Sequence, residues 1–284
     1  MQHYAPILIV MLPFVAGFAA VLLPSDSRTP STWLAGITML ACLVLTLSLY
    51  PAVGAGGVVR NEVEWIPSLG LDFVLRIDGF AWIFAVLVSG IGLLVVVYTR
   101  YYISAEDPVR RFYLFFLAFT GSMLGIVLAG NLILLVVFWE LTSIFSFLLI
   151  GYWHHNQGAR DGARMALTIT AIGGLGLLAG VLIVGHIVGS YDLDVVLASG
   201  DTIRRHELYV PALLLILLGT LTKSAQFPFH FWLPNAMAAP TPVSAFLHSA
   251  TMVKAGVFLM ARLWPVLSDT PEWFTILGLA GMAS

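Results

Sequence analysis

Apolar residues fill most of this chain in long stretches, and short polar segments separate them. A helix that crosses the hydrocarbon core of a bilayer needs about 20 consecutive, mostly apolar residues. A last stretch begins near Trp273 and runs to Ser284. Before it, the pattern predicts membrane-spanning helices over residues 4–23, 32–50, 79–99, 112–129, 131–150, 165–188, 209–226 and 243–262.

Two connections, 51–78 and 189–208, are longer than the others. In the first, polar and apolar residues alternate over 63–66 and 71–76, on either side of a turn at Pro67–Gly70. Such alternation around a Pro/Gly turn indicates a small β-hairpin outside the bilayer. An irregular loop explains the same pattern equally well, so both interpretations stay open.

The composition fits a membrane protein and excludes several other classes. Hydrophobic residues make up 60% of the chain and charged residues 10%, whereas soluble domains carry about 25% charged residues. Cys42 is the single cysteine, which excludes a disulfide scaffold. A net charge of −2 argues against a nucleic-acid partner, which would require clustered Lys and Arg. We therefore interpret the chain as a polytopic protein of the lipid bilayer.

Arginines in short loops orient such a protein, because cytoplasmic loops carry an excess of positive charge. With the N-terminus outside, six arginines fall on the cytoplasmic side and five outside, a small bias. The six are Arg28, Arg100, Arg110, Arg111, Arg160 and Arg164.

Three charged residues lie in the interior of predicted spans: Glu140, Lys223 and Lys254. A charged side chain at the centre of a bilayer costs roughly 2.5–3.5 kcal/mol on insertion scales, so each needs a compensating role. Ser143 and Ser146 follow Glu140 at three-residue spacing, on its side of a helix. Their hydroxyl groups are able to hydrogen-bond a buried charge.

Glu140 and Lys223 form the natural pair, because each favours the charged form of the other. One interpretation is a structural ion pair that fixes helix packing. Replacing a buried pair by apolar residues is often neutral or stabilising, so inside a membrane we favour a functional role in proton transfer.

Histidines add further candidates for proton transfer, because histidine titrates near neutral pH. His248 lies six residues before Lys254, a spacing that keeps the two off one helix face. His248 is either a relay or a hydrogen-bonded packing residue. We interpret His186 as structural, and His154 and His155 as anchors at the water boundary.

Four prolines fall within fifteen residues: Pro228, Pro234, Pro240 and Pro242. One continuous helix cannot hold them, because each removes a backbone donor and clashes with the preceding turn. Irregular backbone at membrane depth survives only when it is buried in protein or faces water. The break after Lys223, with Pro228 and His230, is therefore a candidate gate or ion site. A surface loop is the alternative.

No motif supports chemistry on a covalent bond. Residues 174–179 match a dinucleotide fingerprint by letters, but that motif requires a preceding strand. Gly173, Gly176 and Gly180 fit better as a small-residue face for close helix packing. No Cys/His spacing indicates a metal or haem. We expect no catalytic residue, metal or cofactor.

With these residues described, four segments resemble the antiporter-like proton-translocating subunits. They are Phe138–Ser143, Ser146–Trp153, Lys223–Pro228 and Pro240–Gly256. That family comprises Mrp-type multisubunit Na⁺(K⁺)/H⁺ antiporters, respiratory complex I and membrane-bound hydrogenases. The resemblance covers essentially all 284 residues, and a lysine at position 254 favours the A-type subunit of the Mrp antiporters.

The resemblance implies an all-α polytopic membrane protein with an inverted-repeat fold. Residues 1–111 would form three leading helices, with the loop or hairpin at 51–78. Residues 112–262 would form a five-helix repeat containing a broken helix. Residues 263–284 would open a second, inverted repeat that is truncated here, so the chain resembles part of a longer protein.

The resemblance also implies membership of a monovalent cation (Na⁺)/H⁺ antiporter complex, and no enzyme. Protons would pass by Glu140, Lys223, His248 and Lys254. Ser143, Ser146, His230 and Pro228 would act as relay or gate. The partners would be H⁺, Na⁺ (or K⁺ or Li⁺) and other membrane subunits in the bacterial cytoplasmic membrane. The alternatives are a proton-pumping subunit of complex I or a hydrogenase, and a structural scaffold.

Overall fold

A computed structural model describes residues 4–24, 28–66, 71–104 and 106–284, apart from the side chain of Leu71. The leading part contains α1 (Ala5–Leu22), α2 (Arg28–Ser48), the short α3 (Tyr50–Val53), β1 (Val59–Ile66), β2 (Leu71–Ile77) and α4 (Gly79–Tyr102). The central part contains α5 (Val109–Leu128), α6 (Leu132–Ile150), α7 (Gln157–Val188), α8 (Leu193–Ala198), α9 (Gly200–Arg205) and α10 (Tyr209–Lys223). The last part contains α11 (Trp232–Ala236), α12 (Thr241–Ser244), α13 (Met252–Arg262), α14 (Trp264–Leu267) and α15 (Pro271–Ala283).

Seven helical stretches in these described residues are long and apolar enough to cross a membrane. They are α1, α2 with α3, α4, α5, α6, α7, and the stretch from Thr241 to Arg262. The prediction of a polytopic helical membrane protein is confirmed. The predicted span 209–226 corresponds to α10, whose 15 residues fall short of the usual length of a span.

Helix α5 lies at the centre of the bundle and is the most buried of the spans. Between Phe112 and Leu128 only Leu114 and Phe115 are partly exposed. It packs against α1, α4 and α6 and also against α13. The rings of Phe116 and Phe246, a residue between α12 and α13, lie 4.9 Å apart, so α5 joins the leading helices to the stretch from Thr241 to Arg262.

The β-hairpin interpretation of residues 51–78 is confirmed, whereas the predicted turn Pro67–Gly70 lies outside the described residues. Strand β1 pairs with β2 in antiparallel register, from Val59 opposite Ile77 to Glu64 opposite Asp72. The backbone N–H of Gly130 donates to the Val74 carbonyl at 2.8 Å. The hairpin therefore lies against the connection between α5 and α6.

Helix α7 starts eight residues before the predicted span. Its first residue is Gln157, and the side chain of Asn156 caps it by accepting a hydrogen bond from the Gly158 N–H. The hydropathy pattern did not include these first turns because Arg160 and Arg164 are polar. The turns extend the helix beyond its apolar part.

The predicted single span 243–262 is wrong in one respect, because the helix is interrupted. Residues Ala245–Ala250 form a π-helical stretch between α12 and α13. Thr251 leaves helical geometry at φ −130° and ψ −78°, and its hydroxyl donates to the Phe246 carbonyl at 2.7 Å. Such insertions occur without proline or glycine and often mark functional positions.

An ion-pair network ties the hairpin to three helix ends. Asp78 caps α4 by accepting from the Ala81 N–H at 2.9 Å and binds Arg262, the last residue of α13, through both carboxylate oxygens. Arg76 reaches Asp78 and Asp194, each at 2.6 Å. The side chains of Arg76 and Arg262 are only 9% and 7% exposed. The hairpin, α4, α8 and α13 are thus held by one buried network.

The Asp78 carboxylate is ionised in this network. Burial alone would raise its pKa, but hydrogen bonds and charges from Arg262, Ala81 and Arg76 outweigh burial and hold the pKa well below its usual range. The carboxylate therefore stabilises the folded state most at neutral pH.

Asp78→Asn should destabilise the fold strongly, because it leaves two buried guanidinium groups facing a neutral amide. Removing one partner of a buried pair costs about 3–5 kcal/mol, so the free energy of unfolding should fall by about 3 kcal/mol. Asp201→Asn is the matched control, since Asp201 pairs with Arg204 at the surface and should change it by less than about 1 kcal/mol. Unfolding of the purified protein in detergent micelles measures both.

The pH dependence gives this prediction a second readout. Because the pKa of Asp78 is lower folded than unfolded, its stabilisation is complete above the unfolded value near 3.9 and is lost as the pH falls through the folded value. The difference between wild type and Asp78→Asn should persist from neutral pH to about pH 4 and shrink below. A difference that vanished by about pH 6 would contradict this assignment.

Candidate functional site

Lys223 is the last residue of α10 and is fully buried, with 0% of its surface exposed. Its ammonium donates to the Ser143 hydroxyl at 2.7 Å and to the Trp139 carbonyl at 2.9 Å. It also lies 5.1 Å from the centre of the Trp139 ring. An ammonium has three N–H donors, so α6 satisfies two of them and adds a cation–π contact.

The end of α10 explains why Lys223 is placed there. The Ser224 N–H still bonds to the Thr220 carbonyl at 2.9 Å, and the Gln226 N–H reaches the Leu221 carbonyl at 3.0 Å. These bonds close the helix several residues before Pro228. The carbonyl end of the helix favours a positive charge, which suits a lysine.

Glu140 does not form the expected ion pair with Lys223. No ion pair within 4.0 Å joins them, and the buried Glu140 Oε1 has no hydrogen-bond partner among the described residues. Helix geometry explains the difference, because Glu140 points about 100° around α6 from Trp139, whereas Ser143 returns to nearly the same side as Trp139. Lys223 binds that side, and Glu140 lies beside it.

Glu140 instead faces α7 and an apolar hollow of about 350 Å³ that opens between α6 and α7. Val136, Val137 and Leu178 are among the residues that line the hollow. A carboxylate in such surroundings is poorly solvated. The opposite charge near Glu140 is Lys223 of α10, which contacts the neighbouring side of the same turn of α6.

Glycines of α7 make room for this site. A Cβ atom on Gly174 would collide with Glu140 Oε1, and one on Gly173 would collide with the Thr222 hydroxyl. Only glycine therefore permits α7 to lie this close to both side chains.

The predicted small-residue face of α7 is confirmed further along the helix. A Cβ on Gly176 would lie 2.9 Å from Leu218, and one on Gly180 would lie 2.8 Å from Ile216. Both neighbours belong to α10. The face thus brings α7 and α10 into backbone-close contact, as small residues do in membrane helix pairs.

Ser146 continues the polar line on α6. Its buried hydroxyl donates to the Ser143 carbonyl at 2.9 Å. Ser143 in turn contacts Lys223, so the two serines predicted as relay residues lie in order along α6. They lead from the lysine toward the end of α6 at Ile150.

His248 lies in the π-helical stretch and is only 9% exposed. Its ring centre is 5.9 Å from that of Trp232, whose indole N–H donates to the Thr222 carbonyl at 2.9 Å. Neither ring nitrogen makes a well-formed hydrogen bond to the described residues, although the backbone of Ala236 is close. Trp232 therefore stands between the histidine and the end of α10.

The structure does not bring the remaining predicted residues into this cluster. Lys254, His230 and Pro228 are exposed, and the His230 ring lies 5.8 Å from that of Phe227. Helix α10 ends at Lys223, so the break predicted after this lysine begins several residues before Pro228.

Sequence reasoning missed Trp139 and Trp232. Charges stand out in an apolar span, whereas Trp139 contributes a carbonyl and a ring face and Trp232 an indole N–H. The available signal was their position, since Trp139 precedes Glu140 and Trp232 lies among the prolines. No cluster of three or more metal-ligating side chains occurs in the described part of the chain.

These features define a class: a polytopic helical membrane protein with a buried lysine and a nearby glutamate on neighbouring helices. The pattern described as "NADH:quinone oxidoreductase/Mrp antiporter, TM" matches residues 129–284, and "NADH-Ubiquinone oxidoreductase (complex I), chain 5 N-terminus" matches residues 65–113. The chain belongs to the NADH:quinone oxidoreductase/Mrp antiporter transmembrane family.

Curated relatives of this chain include antiporter subunits. The chain is 64% identical over 275 residues to the A/B subunit of a probable K(+)/H(+) antiporter of Rhizobium meliloti, covering 97% of this chain and 28% of that protein. It is 43% identical over 280 residues to the A subunit of the Na(+)/H(+) antiporter of Alkalihalophilus pseudofirmus, covering 97% of this chain and 34% of that protein. The chain thus spans about a third of the length of these relatives.

Solved structures agree on the fold. A chain in the structure of the Mrp complex from a Dietzia species is similar to this protein, with a TM-score of 0.87 and 33% identity. The match covers 98% of this chain and 30% of that chain. An archaeal membrane-bound sulfane sulfur reductase matches 98% of this chain and 56% of its own, with a TM-score of 0.81 and 23% identity. The second likeness concerns the fold alone.

Gly174→Ala should destabilise the protein by about 1 kcal/mol, at the low end of overpacking costs, because the new methyl group displaces the flexible end of the Glu140 side chain. Gly278→Ala is the matched control, since a Cβ there meets nothing within 4 Å and alanine favours the helix. Unfolding of the purified protein in detergent compares them. Adding Glu140→Ala should rescue much of the loss, and a strictly additive double variant would contradict the collision.

Proposed function

We propose that this chain belongs to a proton-translocating subunit of a multisubunit monovalent cation/H⁺ antiporter in the bacterial cytoplasmic membrane. One observation carries the proposal. Lys223 is fully buried at the end of α10, bound to Ser143 and to the Trp139 carbonyl, while Glu140 beside it keeps an oxygen without a hydrogen-bond partner among the described residues. A purely structural pair would be expected to make direct contact.

The Lys223–Ser143 contact can pass a proton. A hydroxyl both donates and accepts, so Ser143 accepts from the ammonium and can donate to the neutral amine after deprotonation. Ser146 follows one helical turn further along α6. The serines would then lead protons between Lys223 and the end of α6 at Ile150.

Glu140 would control the charge on Lys223. While the lysine is protonated, the adjacent carboxylate is stabilised by the opposite charge. When Lys223 loses its proton, Glu140 is left in apolar surroundings without compensation, which favours its own protonation. The two groups would therefore exchange protonation rather than both remain charged.

His248 and Lys254 would continue the route on the other side of α10. His248 lies behind Trp232, and Ser224, next to Lys223, donates to the Val253 carbonyl at 2.8 Å. Lys254 is exposed in the described residues. In a protein as long as the relatives, its side would face further helices of the same chain.

The partners follow from what the relatives are called. Two are named subunits of antiporters, one for K⁺ and one for Na⁺, so this protein would work with other membrane subunits on H⁺ and one such cation. These names favour an antiporter over the proton-pumping alternative. Li⁺ remains the third cation to compare.

Lys223→Gln and Glu140→Gln in the complete antiporter complex should each reduce cation/H⁺ exchange on the order of a hundredfold, the range of a positioned proton-transfer group. The exchange rate of Ser143→Ala should lie between those of these variants and wild type, because Lys223 keeps its hydrogen bond to the Trp139 carbonyl. The measurement is cation-induced dissipation of ΔpH in everted membrane vesicles, with Na⁺, K⁺ and Li⁺ compared.

Arg205→Gln and Glu207→Gln are the matched controls, since both remove an exposed charge outside the predicted spans. Complexes that carry either control substitution should exchange the cation for H⁺ at the wild-type rate. Wild-type exchange in Lys223→Gln or Glu140→Gln complexes of normal assembly would overturn the proposal. Copurification with iron–sulfur subunits would instead select the proton-pumping alternative.

A further inference from the structure

A cavity of about 300 Å³ lies where α5 begins, α6 ends and α7 begins. That volume is roughly ten times the share of one water molecule in the liquid. One wall is apolar, formed by Phe115, Phe147 and Leu148. Arg111, Arg160 and Arg164 line it as well, so a single cavity combines an apolar wall with three guanidinium groups.

Backbone carbonyls, and not carboxylates, hold two of these arginines. Arg111 donates to the Tyr152 carbonyl and Arg160 to the His154 carbonyl, both at 2.7 Å. A carbonyl fixes a guanidinium in place without neutralising it. In the described residues, the one ion pair of these arginines joins Arg164 to Asp161 at 3.9 Å, with both side chains largely exposed. The positive charge of the cavity is therefore oriented and mostly uncompensated.

Two buried polar atoms of the lining residues also lack a hydrogen-bond partner among the described residues. They are Nε of Arg111 and the phenol oxygen of Tyr152. Burial and the nearby charge of Asp107 raise the pKa of Tyr152, against the opposing effect of Arg111, so its hydroxyl keeps its proton. Both groups are then donors, and buried donors without acceptors are costly. The three guanidinium groups that line the cavity call for an acceptor-rich, negatively charged ligand.

The cavity lies at one end of the helix bundle, beside the ends of the candidate membrane spans α5, α6 and α7. It is at the end of the bundle that carries Arg28, Arg100 and Arg110 as well, and Tyr152 and Trp153 are residue types enriched at membrane–water boundaries. Basic pockets between membrane helices on the cytoplasmic side bind anionic lipid headgroups. We propose that this pocket binds the headgroup phosphate of an anionic phospholipid, with the acyl chains lying along Phe115 and Phe147.

Such a lipid would brace α6 close to the buried lysine. The pocket is built on Phe147, Leu148 and Gly151, and Ser146 immediately precedes them. A phosphate that bridges Arg111 of α5 and Arg160 of α7 would fix the end of α6 between them. The binding itself does not depend on the function proposed for Lys223.

The test uses the complete complex in detergent and titrates phosphatidylglycerol by native mass spectrometry. In the Arg111→Gln/Arg160→Gln variant, the affinity of this pocket for phosphatidylglycerol should fall by about fivefold for each arginine. The spectrum should then show one tightly bound lipid fewer than in wild type. Arg110→Gln is the matched control, because this neighbour on α5 donates to the Val21 and Leu23 carbonyls, away from the pocket. It should bind phosphatidylglycerol like wild type.

Three outcomes would overturn the proposal. They are equal phosphatidylglycerol affinity in wild type and double variant, equal binding of phosphatidylethanolamine, and displacement of the lipid by inorganic phosphate at matched concentration. Should the double variant not assemble, Arg164→Gln replaces it, since that side chain is 71% exposed. It should weaken phosphatidylglycerol binding about fivefold, and unchanged binding would reject the site.

Discussion

A lysine amino group that is cut off from water is the constraint around which the candidate site is built. The Lys223 ammonium has no solvent, so its donors must be met by groups that the fold delivers. Ser143 and the Trp139 carbonyl supply two acceptors, and the carbonyl end of α10 adds a favourable field. The early end of α10 and the glycine face of α7 both follow from this requirement.

Part of this site could be predicted from sequence, because charges are scarce in apolar spans. Glu140, Lys223 and Ser143 stand out against leucine and valine, and the hairpin was visible as alternation. The bond from Lys223 to the Trp139 carbonyl was not predictable, since a carbonyl carries no sequence signal. The π-helical stretch around His248 was also missed, because it contains neither proline nor glycine and depends on tertiary packing.

The two ends of the bundle use arginine in different ways. At the hairpin end, acidic residues outnumber arginines, and Arg76 and Arg262 are neutralised by Asp78 and Asp194. At the other end, arginines outnumber acids, and four of the six are bound to backbone carbonyls. The first arrangement locks elements together without outside help, whereas the second leaves positive charge for a partner outside the chain.

The two flanks of the site differ in how easily they can rearrange. Helix α6 is fixed at both ends, since Asn131 caps its start and Arg111 holds the Tyr152 carbonyl after its end. The opposite flank, from Ser224 to Thr251, consists of short helices, turns and the π-helical stretch. Segments with few regular backbone bonds open at lower free energy than intact helices. We therefore expect a change in the surroundings of Lys223 to come from the side of Trp232 and His248, with Ser143 and Trp139 held in place by α6.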